Sequence, residues 1–116
     1  SDAEITEIGK TVLVSPTDGQ TGLITPVTLV WEIPSDSQNR NIHAHVQVDK
    51  TSDAFGDLEV EKLSFKDSGF EYWNGSNWVT YPSDGVTSAY YGNQARISVS
   101  LTQGTKYWRV RGGVGC

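Results

Sequence analysis

The sequence predicts an all-β sandwich of two antiparallel sheets, and three observations carry that expectation. Helical periodicity is absent along the chain, short stretches of alternating apolar and polar residues recur, and turn signals separate them: Thr17-Asp18-Gly19, Asn74-Gly75-Ser76, Ser83-Asp84-Gly85 and Gln103-Gly104-Thr105. At 116 residues the chain has the length of one domain and can bury a core without disulfides or structural metal. Trp and Tyr supply 9 of the 12 aromatic residues, so core volume must come from Val, Ile, Leu and rings that carry a polar handle.

The first expected strand spans Thr11 to Ser15 and is stopped by Pro16 and the turn residues after it. Residues 1–10 are read as an arm or an extra strand built around Ile5 and Ile8, and residues 11–116 as the sandwich. From Val27 to Ile33 the chain alternates, placing Val27, Leu29, Trp31 and Ile33 on one face, so Trp31 belongs in the core. Pro34 ends this strand, and Ser35 to Asn41 is a polar loop. From Ile42 the pattern resumes, with Ile42, Ala44, Val46 and Val48 inward and His43, His45, Gln47 and Asp49 on a face expected to be wet.

Leu58 to Phe65 is less regular, with apolar residues at Leu58, Val60, Leu63 and Phe65 and a break near Lys62 that predicts a bulge or turn. Phe70 to Trp73 and Trp78 to Tyr81 flank Asn74-Gly75-Ser76-Asn77 and predict a hairpin with Asn-Gly at its tip. Arg96 to Leu101 alternates with Ile97, Val99 and Leu101 inward, and Tyr107 to Arg111 is the last strand.

Two stretches stand out: Val14-Ser15-Pro16, Asp18-Gly19 and Pro26-Val27-Thr28-Leu29-Val30-Trp31 form one, and Leu101-Thr102-Gln103-Gly104-Thr105-Lys106-Tyr107-Trp108-Arg109-Val110-Arg111 the other. Both resemble the fibronectin type III-like, immunoglobulin-like modules of bacterial proteins. In such modules the second run enters the sixth strand, and a tyrosine hydroxyl closes the corner on the backbone. Here the pattern is displaced by one residue. If Trp108 and Val110 point inward, Tyr107 points outward with Arg109 and Arg111, and Lys106 takes the corner position. Either Tyr107 makes the corner through a bulge or the domain has none. The resemblance also implies a seventh strand, yet only five residues follow Arg111. The sheet edge is expected to be open, with a truncated chain, the first residues or a strand from a neighbouring molecule as the explanations.

Tyr72-Trp73-Asn74-Gly75-Ser76-Asn77-Trp78 resembles hairpins of phage tail-fibre and bacterial surface proteins. These resemblances imply a non-enzymatic structural protein, such as a capsid decoration or tail-associated subunit of a phage virion, with other protein subunits as partners. The alternative is a spacer or glycan-binding module of a secreted enzyme or adhesin, extracellular or on the cell surface.

The residues themselves favour contact over chemistry. A net charge of -5 argues against a nucleic-acid partner, since phosphate binding needs a basic face. No run approaches the roughly 18 apolar residues of a membrane helix, so membrane insertion is not expected. The start Ser1-Asp2-Ala3 suits removal of an initiator methionine in the cytosol, although a cleaved signal or a fragment looks the same. Cys116, the one cysteine, has no internal partner.

His43 and His45 aim at one side of a strand, the spacing a zinc ion uses, but two further ligands are missing locally, so no metal or other cofactor is expected. Glu59 and Glu61 read as exposed carboxylates on a solvated face, and no nucleophile-base set or phosphate loop occurs. Asn74-Gly75-Ser76 fits a glycosylation sequon but reads as a turn. The interface or ligand candidates are Tyr72, Trp73, Trp78, Tyr81, Tyr90, Tyr91, Tyr107, Arg109 and Arg111. Among them Trp73 is expected to face inward in a structural role, while Trp78 and Tyr81 are open between packing and a platform for sugars or partners.

Overall fold

The computed structural model describes residues 11–16, 25–51 and 54–114. It is a β-sandwich of two antiparallel sheets. The eight strands are β1 (Val12–Ser15), β2 (Val27–Glu32), β3 (His43–Asp49), β4 (Leu58–Leu63), β5 (Glu71–Trp73), β6 (Trp78–Thr80), β7 (Gln94–Val99) and β8 (Tyr107–Gly113). One sheet has the order β1-β2-β7-β5-β6 and the other β4-β3-β8. The expected arm over residues 1–10, the turn at Thr17 to Gly19, and Cys116 lie outside the described residues.

Alternation along β2 explains the first sheet. Val27, Leu29 and Trp31 are buried, as is Ile33 just past the strand, and they lie opposite Val99, Ile97 and Ala95 of β7. β7 begins two residues earlier than the sequence predicts, at Gln94, because Ala95 continues the inward row. Leu101 lies beyond the strand end and still packs on the core. From the second sheet come Ala44, Val46, Val48 and Val110, all buried. Ring edges finish the core: Trp31 meets Phe70 at 6.1 Å, Phe70 meets Tyr81 at 6.0 Å, and Tyr81 meets Tyr72 at 6.1 Å, each edge-to-face.

Of the face of β3 expected to be wet only His45 is partly exposed: His43, Gln47 and Asp49 are 6%, 8% and 0% exposed. Each is covered by a neighbour on the outer side of the three-stranded sheet. The Phe65 ring stands edge-on to His43 at 5.6 Å, and Arg109 donates from Nε to Gln47 Oε1 at 2.6 Å. Asp49 closes the turn into β4, accepting from Thr51 N and Oγ1 at Oδ1 and from Asp57 N at Oδ2. A buried carboxylate with three donors is satisfied where an exposed one would only be solvated.

The irregularity of β4 also has a cause. Val60 lies opposite Val48, on the core side, whereas Leu63 lies opposite His45 and Leu58 opposite Asp49, on the outer side. The apolar residues therefore serve two faces, and the register shift falls between Val48 and Asp49, at Glu59 rather than near Lys62.

Ile42 joins the sheets. Its N–H donates to Val86 O, its carbonyl accepts from Val86 N, and Tyr81 Oη donates to the same carbonyl at 2.6 Å. Gly85, beside this bridge, has φ +94, and a Cβ there would stand 3.0 Å from Asn41 Cβ. Burial holds the Tyr81 phenol neutral by pushing its pKa far above the usual range. Tyr81→Phe removes one donor from a carbonyl that keeps the other, so the expected loss is about 1 kcal/mol, read from urea unfolding midpoints.

The last strand keeps the register expected of it. Trp108 and Val110 lie opposite Val48 and Val46 on the core side, and Tyr107, Arg109 and Arg111 lie opposite Asp49, Gln47 and His45 on the outer side. The strand runs on through Gly113. Lys106 closes the corner by charge. Its Nζ stands 2.6 Å from Glu59 Oε1 and donates to Thr102 Oγ1, while Thr102 N donates to Glu59 Oε2 at 2.7 Å. Glu59 is accordingly not the solvated carboxylate the sequence suggests, since its side chain is 14% exposed.

The Lys106 ammonium and the Thr102 amide lower the Glu59 pKa from the ordinary 4.5 to about 2. A carboxylate depressed by folding stabilises the protein above its unfolded pKa, and that contribution disappears as pH falls through the folded value. In pH-dependent unfolding, Glu59→Gln is expected to be less stable than the parent at neutral pH. The gap should close between about pH 4.5 and pH 2.

Candidate functional site

The nine candidate residues fall into three groups. Tyr72, Tyr81, Tyr90 and Tyr91 belong to the interior or its rim. Tyr72 lies opposite Ala95 and Val79, and its ring is 5.0 Å from Tyr90. Tyr81 is 5% exposed, too deep to touch a partner, because Phe70, Tyr72 and the Ile42 carbonyl surround it. Tyr90 ends a single 3-10 turn, Ser88–Tyr90, and Tyr91 donates its hydroxyl to Arg40 O. Both tyrosines pack against the core and are half-buried, so this loop is tied down. Its anchor is Asp36, whose carboxylate accepts from the Gln38 and Arg40 amides and from the Arg40 guanidinium. The guanidinium holds Asp36 well below the usual carboxylate range.

Trp73 and Trp78 form the second group, and Trp73 corrects the expectation of an inward ring. Side chains alternate along β5, so with Tyr72 inward, Glu71 and Trp73 face outward, as does Trp78 opposite Trp73. The two indoles meet edge-to-face at 5.6 Å. Arg96 of β7 lies with Cζ 4.0 Å from the Trp78 ring centre and is held there by Glu71, 2.9 Å from Arg96 Nε and 2.8 Å from Arg96 Nη2. One face of Trp78 is thereby covered by a guanidinium. At the hairpin tip, Asn74 Oδ1 accepts from the amides of Ser76 and Asn77, and Gly75 takes φ +104. Asn74 in the sequon-like triplet thus serves as a turn cap.

The third group lines the outer face of β8 and continues across the sheet. Arg109 bonds Gln47, Gln47 Nε2 donates to Glu61 Oε2 at 3.2 Å, and His45 Nε2 lies 2.7 Å from the same oxygen. Glu61 is lowered from its ordinary value chiefly by His45. The Arg109 guanidinium also stacks 4.1 Å over Phe55, whose backbone has φ +56, an unfavoured conformation for a bulky residue. Sequence reasoning missed Phe55, Glu61 and Gln47 as members of this row, because only the pairing of β4 and β8 with β3 brings them together. Arg111 and Glu61 are exposed, and Tyr107 is half-buried.

His43 and His45 share a face as expected, but His43 is buried against Phe65 and His45 is engaged by Glu61. Among the described residues no group of three or more His, Cys, Asp or Glu is placed to hold a metal ion. A groove of about 400 Å³ lies between Val12, Glu32 to Ser35, Tyr91 and Gly92, with Glu32 the charged group at its wall. No helix among the described residues is long and apolar enough to cross a membrane.

The edge of β8 completes the geometry. Among the described residues β8 pairs with β3 and with no strand on its other side, over seven residues. Such an edge offers unpaired amides and carbonyls to an incoming strand. No family model, curated protein or solved structure matches the chain.

The Arg96 contact is expected to be structural. Arg96→Ala should cost about 1 kcal/mol in urea unfolding, through loss of the cation-π contact and of the Glu71 pair. Trp78→Ala in the Arg96→Ala background should then cost less than Trp78→Ala alone, the coupling a double-mutant cycle reads.

Proposed function

We propose that this chain is a non-enzymatic assembly subunit, a fibronectin type III-like module that works through protein-protein contacts and serves as a structural component of a phage virion. The observation that carries the reading is the free side of β8, a seven-residue strand at the sheet edge with no pairing partner on that side among the described residues. Strand addition there supplies main-chain hydrogen bonds, and alternate side chains supply selectivity. The strand order β4-β3-β8 and the Lys106 corner agree with a module whose sixth strand is β8, open on one side among the described residues. The likeness of Tyr72 to Trp78 to tail-fibre hairpins supports the virion setting. A glycan-binding role draws less support, since Arg96 occupies one face of Trp78 and Tyr81 is buried.

Light scattering coupled to size-exclusion chromatography tests the reading. The full chain is expected to show a mass above that of a single chain, rising with concentration. The mass of one chain at every concentration up to the solubility limit overturns self-assembly as its function.

A further inference from the structure

The two edges of the three-stranded sheet are built differently. β8 pairs with β3 over seven residues without a register shift and has no strand on its far side among the described residues. β4 is the other edge, and much of its outward backbone is already engaged. Ser64 N donates to Ala44 O of β3. Along this stretch the amides and carbonyls of Ser64, Lys62 and Val60 therefore turn toward β3, and those of Leu63 and Glu61 turn to the open side.

Leu63 has both of its outward groups filled by the turn that follows it. Its N–H donates to Asp67 Oδ2 at 2.8 Å, and its carbonyl accepts from Lys66 N at 3.1 Å and from Asp67 N at 2.8 Å. A strand arriving at this edge has to displace the Asp67 carboxylate before it can reach the Leu63 amide.

Lys62 acts on the same edge by charge. It lies opposite Val46, which is fully buried, so its side chain leaves β4 on the core side, as that of Val60 does opposite Val48. The residue is half-buried, and its ammonium reaches water around the free edge of β4. A strand laid along that edge would cover the exit and leave a charge between the sheets. Further along, the register shift at Glu59 bends β4 out of a straight ladder. Between Leu63 and that bulge only Glu61 turns its amide and carbonyl to the open side, too short a run to hold a strand.

We infer that Asp67 and Lys62 guard the outer edge of β4 against strand addition, whether by a second copy of this chain or by another extended segment. The two residues oppose different requirements of pairing. Asp67 occupies a hydrogen-bonding position that an incoming strand needs, and Lys62 keeps the core side of the edge in contact with water. The guard holds whether or not β8 takes a partner, and it gives the sheet one closed edge.

Removing the guard in the full-length chain tests it. Lys62→Val combined with Asp67→Ala deletes the charge and frees the Leu63 amide. In light scattering coupled to size-exclusion chromatography the double variant should associate at concentrations at least about tenfold below those the parent requires. Hydrogen exchange at its Glu61 and Leu63 amides should slow as it is concentrated, whereas in the parent both should exchange at a rate independent of concentration. Lys62→Val alone keeps the Asp67 turn and should shift in the same direction by less; Lys62→Arg keeps the charge and should behave as the parent. A double variant that folds, as read from its urea midpoint, and matches the parent in association and exchange overturns the guard. Should the double variant not fold, the same result in Lys62→Val does so. Association of Lys62→Arg as strong as that of Lys62→Val overturns the role of the charge. Slowing at the β8 amides without slowing at Glu61, or slowing at Glu61 in the concentrated parent, overturns the assignment to β4 and leaves the assembly reading standing.

Discussion

The carbonyl of Ile42 is the point on which the two sheets depend. Among the described residues no disulfide ties the sheets, and they meet largely through apolar side chains, which by themselves set no height of one sheet against the other. Ile42 fixes that height through three hydrogen bonds to two partners: two backbone bonds with Val86 and one from the hydroxyl of Tyr81, which follows β6 in the opposite sheet. Because Tyr81 is buried, its hydroxyl has to find an acceptor, and it finds one only if β3 starts at the right height against the β5–β6 hairpin. The chain of ring edges from Trp31 through Phe70 to Tyr81 and Tyr72 is positioned by the same contact.

Strands whose two faces differ in polarity were legible in the sequence. Val27 to Ile33 and Trp108 with Val110 read directly as inward rows because each is interleaved with polar residues, and the structure buries those of β2 as read. What alternation could not convey is whether a polar face meets water. His43, Gln47 and Asp49 are polar and buried, since Phe65, Arg109 and the amides of Thr51 and Asp57 come from elsewhere in the chain. The same limit explains Trp73. A tryptophan in a hairpin reads as core, but the parity of β5 is set by Tyr72 opposite Ala95, and that pairing is not written in the local sequence.

The candidate residues separate by the same logic. Those whose polar atoms have a specific internal acceptor, Tyr81 and Tyr91, are part of the frame. Those on the outer faces are arranged by charge: Glu71 holds Arg96 over Trp78, and Gln47 orients Arg109 over Phe55. On the outer side of each sheet an arginine guanidinium sits over an aromatic ring, which fixes the outer surface without filling it with apolar side chains. Arg111 stays exposed on the edge strand, which has no neighbour on that side among the described residues.

The corner before β8 gives the fold a thermal character that a phenolic corner would lack. Lys106 and Glu59 are an ion pair largely removed from water, with side chains 13% and 14% exposed. The penalty for dehydrating such a pair shrinks as temperature rises, because the hydration of charged groups becomes less favourable. A neutral hydroxyl bonded to a carbonyl has no comparable gain. The turn that delivers the edge strand is therefore fastened by a contact that holds its value on heating, while the apolar seam beneath it gains little more.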